Sequence, residues 1–255
     1  MPSYLPNADE LEALNEQDLQ NLWERIRTAP MTIYIISDAT PAQMGQFVPL
    51  FASPHANDGK FLHHAHTPTP NTDTVKFAYN LEQRADVQLW SSTPYTWQGV
   101  DAMQVALLKN IASEKLKFAL RDDKLGIYRL NFDATLNAQT NQITSHLRFT
   151  TSPDKVDEMV EVAKDVLANL PSLINADDVI RAKQTLITQE KSRQNDPHTK
   201  LNRLVLSYEN GDLDYLGKSE HLVDFINLDD LKRMASKIYD PNNVQAFIDM
   251  PLTKE

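Results

Sequence analysis

The clearest pattern in the chain is the alternation over residues 127–137. Tyr128, Leu130, Phe132, Ala134 and Leu136 fall on one side, and Arg129, Asn131, Asp133 and Thr135 on the other. A period of two marks a strand with one face buried. A polar turn at 137–141 leads into a second alternating run, 142–151, so the pair predicts a long hairpin. Weaker alternation predicts strands over 75–81 and 86–92, and a last one over 244–250. Residues 31–37 (MTIYIIS) are almost wholly apolar and rich in β-branched and aromatic types, which predicts a buried strand.

Elsewhere the apolar positions follow the helical period. Residues 7–27 carry a broken stripe of Leu11, Leu14, Leu19, Leu22, Trp23 and Ile26, and the start signal Asn15-Glu16-Gln17-Asp18 inside it is compatible with two short helices. A helix over the sheet is expected at 42–51. A long one follows at 97–120, with Val100, Met103, Leu107, Leu108 and Ile111 facing inward. The strongest helical signal starts at Ser152-Pro153-Asp154 and runs to Leu170 through Val156, Met159, Val160, Ala163, Val166 and Leu167. Residues 171–175 read as a linker, and further helices are expected at 176–193, 198–209 and 227–238. Prolines and threonines across 61–74 exclude a central strand there. The sum is a single α+β domain over 1–255, a mixed and mostly antiparallel sheet of about six strands covered by helices.

Composition narrows the function. A net charge of -10 argues against nucleic acid or an anionic membrane as the main partner. With no cysteine there is no thiol catalysis, disulfide or cysteine zinc site. No apolar run approaches the ~18 residues of a membrane span. Residues 1–27 lack the apolar core of a secretory signal, so an exported protein would have its true beginning elsewhere.

Few residues offer chemistry. His63, His64 and His66 form an HHxH cluster, but strand geometry splits it between two faces and no carboxylate completes a coordination sphere; solvated edge histidines are the simpler reading. His55, His146, His198 and His221 are isolated. H-E-x-x-H, its inverse H-x-x-E-H, G-x-S-x-G, G-x-G-x-x-G and the Walker pattern are all absent. Asp122-Asp123 and Asp177-Asp178 sit at helix ends, where solvated acids are ordinary.

One stretch stands apart: residues 120–128, where a helix end, a glycine-containing turn and a strand start can bring Arg121 and Tyr128 together. Arg121 offers fixed planar donors and Tyr128 a phenolic donor, suited to a peptide carbonyl or an oxyanion. The competing reading makes Arg121 a cation on the helix dipole and Tyr128 a strand residue packed with Leu130 and Phe132.

Several segments, in this order, resemble the pitrilysin/insulinase family of zinc metallopeptidases. They are the helix at 14–27, the strand and acidic turn Thr32-Ile33-Tyr34-Ile35-Ile36-Ser37-Asp38-Ala39, and the LR-x5-G-x-Y-like element from Leu120-Arg121 to Gly126-Ile127-Tyr128. Phe149-Thr150-Thr151-Ser152-Pro153-Asp154-Lys155-Val156 and Asn175-Ala176-Asp177-Asp178-Val179 with Ala182-Lys183 complete the set. The resemblance is to a C-terminal, non-zinc-binding domain of the metallopeptidase LuxS/MPP-like type, the last of four. It implies a zinc endopeptidase whose H-x-x-E-H zinc site lies in an N-terminal catalytic half, the partner of this chain; the chain itself would bind no metal and be inactive alone. It further implies a peptide substrate, with Arg121 and Tyr128 reaching the zinc site to hold substrate backbone and tetrahedral intermediate. The alternatives are a non-catalytic structural or peptide-binding subunit of the same fold, and an unrelated α+β binding module. Relatives of this layout imply the periplasm, with the cytoplasm as alternative.

Overall fold

A computed structural model describes residues 7–29, 31–46, 49, 70–124, 126–193 and 195–252, and the chain divides into two units, Met1–His63 and His64–Glu255.

The second unit is built on a five-stranded sheet. β2 (Ala85–Pro94) pairs antiparallel with β4 (Gln142–Thr151) on one side and with β5 (Val244–Pro251) on the other. β3 (Ile127–Asn137) closes one edge against β4, and β1 (Thr74–Asn80) lies parallel to β5 at the opposite edge. The β3–β4 hairpin turns where expected: the Asn137 side chain accepts the amides of Gln139 and Thr140 at 2.8 and 3.1 Å, and Asn141 takes the left-handed φ of 49° that asparagine tolerates.

The alternation sorts the sheet into two faces. Val87, Leu89, Phe132, Leu147, Phe149 and Ile248 are buried under helices. Against them pack α4 (Gly99–Lys117) and α5 (Val156–Ala168), with α6 (Ala176–Arg193), α7 (Pro197–Asn210), α8 (Leu213–Leu222) and α9 (Leu228–Ala235) extending the helical layer. The expected linker after α5 holds a single helical turn, Leu170–Leu173, with Leu170 fully buried. The pattern did not predict α8. Its N-cap Asp212 accepts the Tyr215 amide at 3.2 Å and the Gly99 amide at 2.8 Å, so one carboxylate caps both α8 and α4. Asp178, buried at the start of α6, bonds Lys115 of α4 at 2.8 Å and Arg181 at 2.7 Å. Burial alone would raise its pKa, but hydrogen bonds from Lys115 and the Asn175 backbone, with the Lys115 and Arg181 charges, outweigh it and hold the carboxyl below its usual value.

In the first unit, two short helices replace the single stripe: α1 (Ala8–Glu12) and α2 (Glu16–Thr28), each opened by an asparagine capping box. α3 (Pro41–Met44) is a single turn, and the rest of the helix expected to 51 runs out of the described residues. The buried strand expected at 31–37 is not one. The segment is irregular, and Met31, Ile33, Ile35 and Ile36 are exposed. A strand exists only through its neighbours' hydrogen bonds, and among the described residues no strand pairs with it. This is the sixth strand the sheet lacks.

Candidate functional site

Arg121 and Tyr128 reach the same place by two departures from regular structure. The long helix does not end as an α-helix: Phe118–Asp123 form a π-helical turn, a rare form often found at functional sites. It keeps Leu120 fully buried while the next residue, Arg121, is exposed. The Gly126 amide closes the turn on the Leu120 carbonyl at 3.0 Å.

Packing leaves no room for a side chain at Gly126 unless Met159 shifts. A Cβ there would sit 2.0 Å from Sδ of Met159, itself fully buried in α5. Thr151 of β4 also donates its hydroxyl to the Gly126 carbonyl, fixing the strand entry from the other side.

The second departure corrects the sequence pattern. Ile127 opposes Thr151 and Arg129 opposes Thr150, so Tyr128 is the extra residue of a β-bulge. Uniform alternation would place it with Leu130 and Phe132; instead it is 68% exposed and lines the groove on the face of the sheet turned away from α4 and α5. Bulges re-aim side chains in this way, and simple periodicity cannot show them.

That groove, about 850 Å³, is lined by Arg121, Tyr128, Arg129 and Arg148 toward one end and by Phe77 of β1 and Phe247 of β5 toward the other. Its charges are unevenly matched. Asp86 accepts Thr150 at 2.8 Å and Asn80 at 2.9 Å, and Asp249 accepts the Tyr79 amide at 2.9 Å. Nearby on the same face, Asp133 pairs with Lys109 at 2.6 Å. The side chains of Arg121, Tyr128 and Arg129 have no hydrogen-bond or ion-pair partner among the described residues. The groove therefore offers uncommitted donors with its acids already engaged, an arrangement suited to carbonyl or carboxylate oxygens.

Further along this face, the His146 and Trp90 rings stack with centroids 3.6 Å apart, and Arg148 donates to His146 Nε2 at 3.0 Å. Burial, then the Arg148 charge, push the imidazole down to about 4, against a smaller opposing pull from Asp133. Sequence reasoning passed over Arg129, Arg148, Phe77 and Phe247. The one signal for Arg129, Arg148 and Phe247 was their place on the polar side of each strand, shared with Asn131 and Gln88, whereas Phe77 lies on the apolar side of its own alternation, with Val75 and Tyr79.

Residues 13–186 match the family model described as the peptidase M16 inactive domain. The chain belongs to that family. The kinship read from its motifs is thus shown, together with the α+β fold. A curated relative, the probable zinc protease PqqL of Haemophilus influenzae, is 24% identical over 197 residues, covering 75% of this chain and 20% of the relative. Among solved structures, the ferredoxin protease FusC, in complex with Arabidopsis ferredoxin, superposes with a TM-score of 0.82 at 33% identity, covering 98% of this chain and 28% of that one. The periplasmic protease PqqL of Escherichia coli gives a TM-score of 0.69 at 16% identity over 85% and 25%. The chain spans between a fifth and three tenths of these relatives' length.

Among the described residues no group of three or more histidines or carboxylates could hold a metal ion, and His63, His64 and His66 lie outside them. No helix among them is long and apolar enough to cross a membrane.

Proposed function

We propose that this chain is the non-zinc-binding part of a longer zinc-dependent endopeptidase, with the polypeptide substrate lying in the groove on the open face of its sheet. Membership of the M16 inactive-domain family and the protease names of its relatives support the assignment. FusC, solved with a ferredoxin, is the precedent for a protein-sized substrate. The observation that carries the site is the pairing of two uncommitted donors, Arg121 and Tyr128, along one groove.

In this reading the Arg121 guanidinium and the Tyr128 hydroxyl donate to the oxygen of the scissile carbonyl. Their bonds strengthen as that oxygen gains charge in the tetrahedral intermediate, because the π-turn and the bulge hold both donors in place beforehand. The metal belongs to the N-terminal catalytic half of the same protein, and this chain alone cuts nothing. The E. coli PqqL description supports a periplasmic setting.

In the full-length protein, Arg121→Ala and Tyr128→Phe should each lower turnover by about 10²- to 10³-fold with zinc content unchanged. Near-normal turnover in both variants overturns the role. A full-length protein that binds polypeptides without cutting them would instead be a peptide-binding subunit of the same fold.

A further inference from the structure

The strand registers give the groove a direction. One row of its side chains runs Arg129, Thr150, Asp86, Asp249 and Phe77, each opposite the next across β3, β4, β2, β5 and β1. The row beside it runs Asn131, Arg148, Gln88 and Phe247 over the first four of those strands. The groove therefore crosses the strands instead of following one of them. With strands about 4.8 Å apart, the track from β3 to β1 is about 19 Å long. An extended polypeptide rises about 3.3 Å per residue and fills that length with about six residues.

The chemistry changes along the track. At the β3 and β4 end Arg129 and Arg148 are exposed, and Arg148 commits its Nε to His146. Midway stand Asp86, which also lies 3.5 Å from Arg84, and Asp249. At the far end Phe247 is half-buried and Phe77 is 37% exposed. A uniformly acidic ligand would meet like charge halfway across. A uniformly apolar one would cover the two guanidinium groups without satisfying them.

We infer that the groove selects an extended segment with an acidic residue near one end and an aromatic or large aliphatic residue about three to six positions away. Arg129 and Arg148 read the carboxylate, and Phe247 and Phe77 hold the apolar side chain. The registers set the spacing. From Arg148 to Phe247 is two strand steps, about 10 Å or three residues, and from Arg129 to Phe77 four steps, about 19 Å or six. With the scissile carbonyl at Arg121 and Tyr128, the acidic residue falls within about two positions of the bond that is cut. The inference rests on reading this groove as the polypeptide site, but the spacing itself does not depend on cleavage.

Fluorescence anisotropy of short labelled peptides on the full-length protein, run with and without a chelator that stops cleavage, tests it. A peptide with Glu and Phe about four positions apart should bind about tenfold more tightly than one with the two side by side, or one with Lys in place of Glu. Arg129→Gln combined with Arg148→Gln should abolish the preference for Glu over Lys and keep that for Phe over Ser, and Phe247→Ala should do the reverse. Equal affinity for all these peptides overturns the inference, and so does tightest binding of an all-Glu peptide. A full-length protein that shows the preference yet cuts none of the peptides supports the inference and overturns the endopeptidase reading alone.

Discussion

The two faces of the sheet carry alternate residues of the same strands and have almost nothing else in common. Toward the helices, β3 presents Phe132, Ala134 and Leu136, all buried; toward the groove it presents Arg129 and Asn131, both exposed. The helix-covered face is where apolar burial stabilises the fold, at about 25 cal/mol per Å². The open face buries little and keeps arginines, Tyr128 and Phe247 available. Stability and, in the proposed function, recognition are thus separated by one residue step along a strand, and the separation can be tested by substitution.

The largest effect should come from Phe132→Ala. Its ring is 2% exposed, and the cavity should cost about 3–5 kcal/mol of unfolding free energy by urea titration. Asn131→Ala, its neighbour on the other face, should stay within about 0.5 kcal/mol. Comparable losses at both positions would break the division between the faces.

A smaller effect is expected where the faces meet. Gly126→Ala pushes a methyl group against Met159 inside the core, an overpacking that typically costs about 1–3 kcal/mol. It also lies two residues before Tyr128, so in the full-length protein turnover should fall together with stability. Met159→Ala should relieve much of the stability loss, giving a coupling in the double-mutant cycle that independent sites would not show.

Much of the architecture was legible in the sequence because it depends on local period. The hairpin bounds at 127–137 and 142–151 are those of β3 and β4, and the stripe from Val156 to Leu167 is the buried face of α5. What period cannot show is partnership. Residues 31–37 have the composition of a buried strand, but among the described residues no strand pairs with them. The alternation of Val75, Phe77 and Tyr79 was seen, but it lines the open face: Val75 opposes Phe247 and Phe77 opposes Asp249 on β5. At the site, the residue types at 121 and 128 and the helix–turn–strand around them were readable. The π-turn and the bulge that aim the two side chains were not, since both are insertions that simple periodicity averages away.

The smallest effect concerns His146, the titratable group on the open face most affected by partial burial. Its folded-state value is held down to about 4, whereas in the unfolded chain it should titrate near the ordinary ~6.5. Between those values the unfolded chain binds the proton and the folded chain does not, so stability falls as pH drops from about 6.5 toward 4 and levels off on either side. His146→Gln should remove that part of the pH dependence and leave stability at pH 7 nearly unchanged. The measurement is the difference between urea midpoints at pH 7 and pH 5 in the two proteins. An equal difference in both would mean that the imidazole next to Trp90 and Arg148 is as free to charge as one in water, and that this end of the open face buries nothing that matters.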